Sequence, residues 1–183
     1  KKTKIYTEKV KICFVGALEK GKGAHLLLDA LEMSKQSHMI QKVYIVGDGI
    51  DKGKIKSSSK KLVGFDVKVT GSLSREKLDQ IYSKCHILIL PSKSEGFPKV
   101  IAEAMSFGCV PIVTNVGSIG QYINETNGVV LKDRSSYELE KAINFLLSDR
   151  SRIRELAQNS CKIDQKFSFE QYNEKIKRLI LNL

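Results

Sequence analysis

Two carboxylates eight positions apart stand out in the run Ser92-Lys93-Ser94-Glu95-Gly96-Phe97-Pro98-Lys99-Val100-Ile101-Ala102-Glu103-Ala104-Met105. Glu95 precedes a helix that Pro98 is suited to open, and Glu103 follows Pro98 by about 7.5 Å along the helix axis. The pair brackets a helix N-terminus, where the free amides of Lys99 and Val100 make an anion site. A phosphate bound there, with a carboxylate on either side accepting hydrogen bonds from hydroxyls, suits a sugar nucleotide. Singly, each acid has a plainer reading: Glu95 as a loop charge, Glu103 as a helix-edge side chain reaching solvent. A carboxylate on a partly buried helix costs energy unless it is satisfied, and a ribose diol supplies two donors at once.

A second candidate is the loop Gly16-Ala17-Leu18-Glu19-Lys20-Gly21-Lys22-Gly23. It nearly spells the phosphate-binding loop of nucleoside triphosphatases, which closes with a hydroxyl residue after Gly-Lys to hold magnesium. Here Gly23 occupies that place, although Asp48 ends an apolar strand as a metal-holding aspartate does. The weaker claim needs no metal: glycines permit close backbone approach, a helix start points amides outward, and Lys20 and Lys22 add charge for an anion. A solvated Gly-Lys turn is the alternative.

The elements that must position these residues alternate. Apolar runs at 10–16, 43–46, 67–70, 87–90, 110–113 and 128–131 read as strands. Helical patterns fill 24–33, 74–83 with Ser74 as cap, and 98–107 with Gly108 as the left-handed C-terminal cap. Residues 52–61 read as a solvated loop or short helix, and 135–147, 152–163 and 168–181 as three successive helices. Apolar strands separated by helices imply an α/β fold: a doubly wound, Rossmann-like parallel sheet with helices on both faces and an all-helical C-terminus. In such sheets ligands bind beyond the carboxyl ends of the strands, where both candidate loops lie.

Composition sets the outer limits. The chain has 183 residues, 42% hydrophobic and 28% charged, which fits one globular domain spanning 1–183 and excludes intrinsic disorder. No purely apolar run is longer than Ile87-Leu88-Ile89-Leu90, which is too short to cross a bilayer. The opening Lys1-Lys2-Thr3-Lys4 is not a secretory signal and reads as the edge of an excised piece. Cys13, Cys85, Cys109 and Cys161 have no metal-ligand or redox spacing and read as reduced, mostly core residues of a cytosolic protein. The net charge of +11 raises the local concentration of anionic partners, whether nucleotides, nucleic acids or anionic lipids.

The motifs resemble the retaining glycosyltransferases of the GT-B fold, the group typified by sucrose and glycogen synthases and many bacterial polysaccharide enzymes. The resemblance runs from about residue 11 to residue 169. It rests on Pro91-Ser92, Glu95-Gly96-Phe97, Glu103-Ala104-Met105, Gly108 and Pro111, which match an E-x7-E motif, on Val15-Gly16 with Lys22-Gly23, and on Phe167-Ser168-Phe169. It implies one half of a GT-B enzyme, the C-terminal, donor-binding half, with an N-terminal acceptor domain absent.

Carried onto matching positions, Glu103 binds the ribose hydroxyls, Glu95 holds hydroxyls of the transferred sugar and Lys22 faces the diphosphate. Lys22 and Glu95 are thereby the catalytic candidates. Gly16 and the amides of Gly96, Phe97, Lys99 and Val100 complete the donor site, and turns 47–49 and 71–73 flank the base. Two departures stand out. Ala17 replaces an Arg that pairs with phosphate, a role open to Lys20, and Gly117-Ser118-Ile119-Gly120-Gln121 alters a Gly-Gly-x-Pro-Glu loop.

The implied reaction moves a sugar, with retention and without a metal or cofactor, from a UDP-, GDP-, ADP- or dTDP-sugar in cell-surface polysaccharide or glycolipid synthesis. The sequence contains no Asp-x-Asp motif. The implied location is cytoplasmic, at the inner face of the membrane where the parent enzyme associates peripherally, with no nucleic-acid partner. The rival readings are a phosphate-loop nucleotide hydrolase and a basic noncatalytic nucleic-acid binder.

Overall fold

The computed structural model describes residue 4, residues 9–96 and residues 98–162. Among these, six strands form one parallel sheet: β1 Val10–Val15, β2 Ile40–Val46, β3 Asp66–Thr70, β4 Ile87–Leu90, β5 Val110–Thr114 and β6 Val129–Leu131, in the order β3-β2-β1-β4-β5-β6. Six helices connect or follow them: α1 Ala24–Met33, α2 Lys52–Ser59, α3 Arg75–Tyr82, α4 Lys99–Ser106, α5 Ser136–Ser148 and α6 Arg150–Ser160. The doubly wound α/β reading holds. The reading of 168–181 as a helix, with its Phe167-Ser168-Phe169 signal, lies outside the described residues.

Burial follows sheet position. All of β4 and β5 is buried, whereas edge strand β3 is half or fully exposed along its length. Unbroken apolar sequence in β4 thus reflects cover on both faces, each such side chain contributing roughly 1.5–3 kcal/mol on burial. Strand order reverses between β1 and β4, and right-handed crossovers put α1 and α2 on one face and α3 and α4 on the other. Helix α5 packs on α1, where Ser34 Oγ donates to Asn144 Oδ1 at 2.6 Å.

Some boundaries differ from the sequence expectation. Strand β2 starts at Ile40 rather than residue 43, because Lys42 pairs with Asp66 across the edge strand and a reading of apolar runs passes over it. Residues 52–59 are helical, docked by Ile55. Pro98 is the N-cap of α4 rather than its first helical residue, and Ser74 holds the N-cap position of α3 without a side-chain capping bond. Helix α6 opens two residues early, capped by Asp149, whose carboxylate accepts from the amides of Ser151 and Arg152. Gly108 takes φ +73° and closes α4 as the sequence implies. Cys13, Cys85 and Cys109 are buried and Cys161 is exposed.

Candidate functional site

The reversal of strand order opens a crevice between the loops that leave β1 and β4, the usual ligand site of such sheets. The β1 loop is laced to its neighbour: Gly16 N donates to Val46 O at 3.0 Å, Leu18 N to Asp48 O at 2.8 Å, and Asp51 N to Leu18 O at 2.9 Å. A Cβ on Gly47 would come within 1.9 Å of Gly16 O, so glycine is required for the turn to pass this close. The lacing fixes where the chain between Gly16 and Lys22 runs.

Gly23 has φ +83°, and a Cβ there would lie 2.6 Å from Pro91 O. The hydroxyl residue of a phosphate-binding loop therefore has no room at this position. Asp48, the other element of that reading, is committed elsewhere: its carboxylate takes Lys52 at 2.5 Å and the Ser72 amide at 2.8 Å. Those two partners hold its pKa below the ordinary carboxylate range. The Ser72 bond also joins turns 47–49 and 71–73, the two expected beside the base.

On the opposite wall, Glu95 Oε1 receives Lys22 Nζ at 2.7 Å and Ser92 Oγ at 2.8 Å. Lys93 N donates to Gly21 O at 2.8 Å, so backbone as well as side chains joins the two loops. The loop after β5 supports Glu95 from behind: Ser118 N donates to Gly96 O at 3.1 Å, and Gly117, at φ +58°, leaves only 1.9 Å between an added Cβ and Glu95 O.

Glu103 takes a different cation. Its carboxylate receives Arg75 Nη1, from the first turn of α3, and lies 3.4 Å from Tyr82 OH. Arg75 also binds Asp79 at 3.0 Å. Burial, then neighbouring thiol and carboxylate groups, push the Tyr82 phenol far up, so it stays protonated and donates.

The structure thus brings Gly16, Lys22, Glu95 and Gly96 together at the crevice, with Lys99 and Val100 in the first turn of α4 and Glu103 in the next. Phe97 lies outside the described residues. Ala17 and Lys20 are exposed. A cavity of about 320 Å³ opens on the other flank of the β1 loop, between α1 and α2, walled by Ala24, Leu28 and Ile55; Glu95 and Glu103 do not line it.

Sequence reading missed Arg75, Arg134 and the bracing role of Gly117 and Ser118. Arg134 donates to Pro91 O at 2.8 Å and to Lys20 O at 2.7 Å, joining both loops. No motif surrounds either arginine; only the serines at the N-cap positions beside them, Ser74 and Ser135, mark these as helix starts. Chemically, the crevice offers an ammonium–carboxylate pair and a helix start: a cation for a departing phosphate and acceptors for hydroxyls.

Residues 1–163 match the family described as glycosyl transferases group 1. An uncharacterized glycosyltransferase of Methanocaldococcus jannaschii is 31% identical over 166 residues, covering 86% of this chain and 44% of that protein. The O-antigen chain mannosyltransferase C of Escherichia coli is 29% identical over 151 residues, covering 80% of this chain and 39% of that protein. The chain therefore spans less than half the length of these relatives. Among solved structures, Anabaena HepE in complex with UDP and glucose superposes with a TM-score of 0.80 at 23% identity, over 97% of this chain and 50% of that one.

Proposed function

This chain belongs to the glycosyl transferases of group 1, and we propose that it is the donor-binding half of an enzyme that moves a sugar from a nucleotide-diphosphate sugar to an acceptor with retention of configuration. The observation that carries the reading is the joined pair at the crevice, Lys22 on Glu95 at 2.7 Å, one helical turn and more from Glu103. In this reading Glu103 accepts both ribose hydroxyls, Lys22 and the first-turn amides of α4 neutralise the diphosphate, and Glu95 orients the transferred sugar. As the glycosidic bond breaks, negative charge gathers on the departing diphosphate while the anomeric carbon becomes oxocarbenium-like, so fixed cations act most strongly in the transition state. No metal enters the proposed step.

The acceptor site belongs to the remainder of a longer protein, so this chain binds donor without turning it over. The E. coli relative acts on an O-antigen chain and the Anabaena structure holds UDP, which supports a nucleotide sugar as donor and cell-surface polysaccharide or glycolipid as product. Work at the cytoplasmic face of a membrane, by peripheral association, completes the proposal. No helix among the described residues is long and apolar enough to cross a membrane.

Calorimetry of the chain against UDP, GDP, ADP and dTDP and their sugars, with EDTA present, tests it. One of the four should bind with micromolar affinity, and Glu103→Ala should weaken that binding at least tenfold. Unchanged binding in Glu103→Ala, or binding only after magnesium is added, defeats the reading. The nucleic-acid alternative predicts a different salt response: six to ten phosphate contacts lose about 10³–10⁵ in affinity between 50 and 200 mM salt, far more than one diphosphate does.

A further inference from the structure

Arg134 lies just before α5, after the last strand of the sheet, yet its side chain reaches back to the loops of β1 and β4. Its Nε donates to Pro91 O at 2.8 Å, and its Nη2 to Lys20 O at 2.7 Å and Gly21 O at 3.2 Å. Pro91 opens the loop that carries Glu95, and Lys20 and Gly21 directly precede Lys22 in the other loop. Among the described residues no carboxylate pairs with this guanidinium, so its charge is satisfied by backbone oxygens alone. The fit is close: an added Cβ on Gly23 would fall 3.3 Å from Nη2.

A planar fork with donors on separate nitrogens can hold two chains at a set spacing; an ammonium, a point donor, cannot. We infer that Arg134 is a positioning residue: it clamps the β1 loop to the β4 loop and so sets the spacing of Lys22 and Glu95 for the diphosphate and sugar of the donor. The donor part of this inference rests on the function proposed above; the clamp itself does not. Burial lowers the pKa of Arg134, in keeping with a guanidinium drawn against the backbone of the two loops rather than extended into solvent.

The clamp makes a graded claim. Glu103 takes Arg75 from α3 and shares no bond with Arg134, so the nucleoside end of the site should not feel its loss. The phosphate and sugar end should.

Two variants of the full chain, Arg134→Lys and Arg134→Gln, are compared with the parent by amide hydrogen exchange and by calorimetry. Exchange at the Lys93 amide, which donates across the loops to Gly21 O, should quicken at least tenfold in both, while the Leu18 amide, bonded to Asp48 O, changes less than twofold. Unchanged exchange at Lys93, or equal quickening at Leu18, overturns the clamp whatever the chain binds. Affinity for UDP should fall about tenfold and for UMP less than twofold, with GDP and GMP or ADP and AMP used where that base is preferred. Equal losses for diphosphate and monophosphate overturn the positioning role. A parent chain that binds no nucleotide refutes the proposed function, and the exchange data then still decide the clamp. Arg134→Lys keeps the charge, so a loss there excludes a purely electrostatic effect.

Discussion

Lys22 and Glu95 are paired at 2.7 Å, so a bound phosphate and Glu95 draw on the same ammonium. Their side chains are 25% and 12% exposed, so the pair is screened less than one at the surface, and a diphosphate must compete for the ammonium. Glu95→Gln removes the competitor and frees Lys22. Affinity for a bare nucleoside diphosphate should rise about three- to tenfold, the equivalent of roughly 1 kcal/mol. The sugar-bearing form should lose its advantage over the bare diphosphate, because an amide accepts hydroxyls more weakly than a carboxylate does. Titrating parent and variant with UDP and UDP-glucose reads both effects; a variant that binds UDP more weakly contradicts the assignment. Glu103 is held differently, by Arg75 and the Tyr82 hydroxyl, so it presents an oriented carboxylate without drawing on the phosphate-binding cation.

The strands and most helices were legible because apolar runs and the Gly108 cap follow local rules. What local rules cannot carry is the partner of each loop. Lys22 meets Glu95 across 73 positions and Arg134 meets Lys20 across 114, distances set only by sheet order. Gly117 shows the same limit: as sequence it is one glycine in an altered loop, and its need appears only once Glu95 O lies 1.9 Å from its absent Cβ. Gly117→Ala should cost at least about 2 kcal/mol, from the left-handed φ and the clash together. Gly53, exposed within α2 with nothing near its absent Cβ, is the matched contrast. Gly53→Ala should stabilise by about 0.5–1 kcal/mol, raising the melting temperature by about 1–4 °C. Calorimetric melting of the two variants should therefore move in opposite directions; a harmless Gly117→Ala would mean that the β5 loop does not brace Glu95.

Across the whole molecule, 31 Lys and Arg face 20 Asp and Glu, and the fold uses its acids as partners. Asp48 receives Lys52 and the Ser72 amide, and Asp149 caps α6 through the Ser151 and Arg152 amides and also takes the Ser151 hydroxyl; both carboxyls are held below their ordinary range. A folded pKa below the unfolded one means that the stabilisation is complete above the unfolded value, about 3.9, and is lost as pH falls through the folded value. Protonating the acids also leaves the cations unopposed, and their repulsion favours expansion. The melting temperature should therefore hold between pH 7 and 5 and fall steeply below about 4. Two interventions separate the causes. Added salt, which shortens the screening length from about 10 Å at 0.1 M to about 3 Å at 1 M, should restore most of the loss at pH 3. Asp149→Asn keeps a capping oxygen but no titrating charge, so it should melt below the parent at pH 7, and the gap should narrow at pH 3 as the parent's own carboxylate is protonated. A decline already complete above pH 5 would exclude these carboxylates as the source of the acid sensitivity.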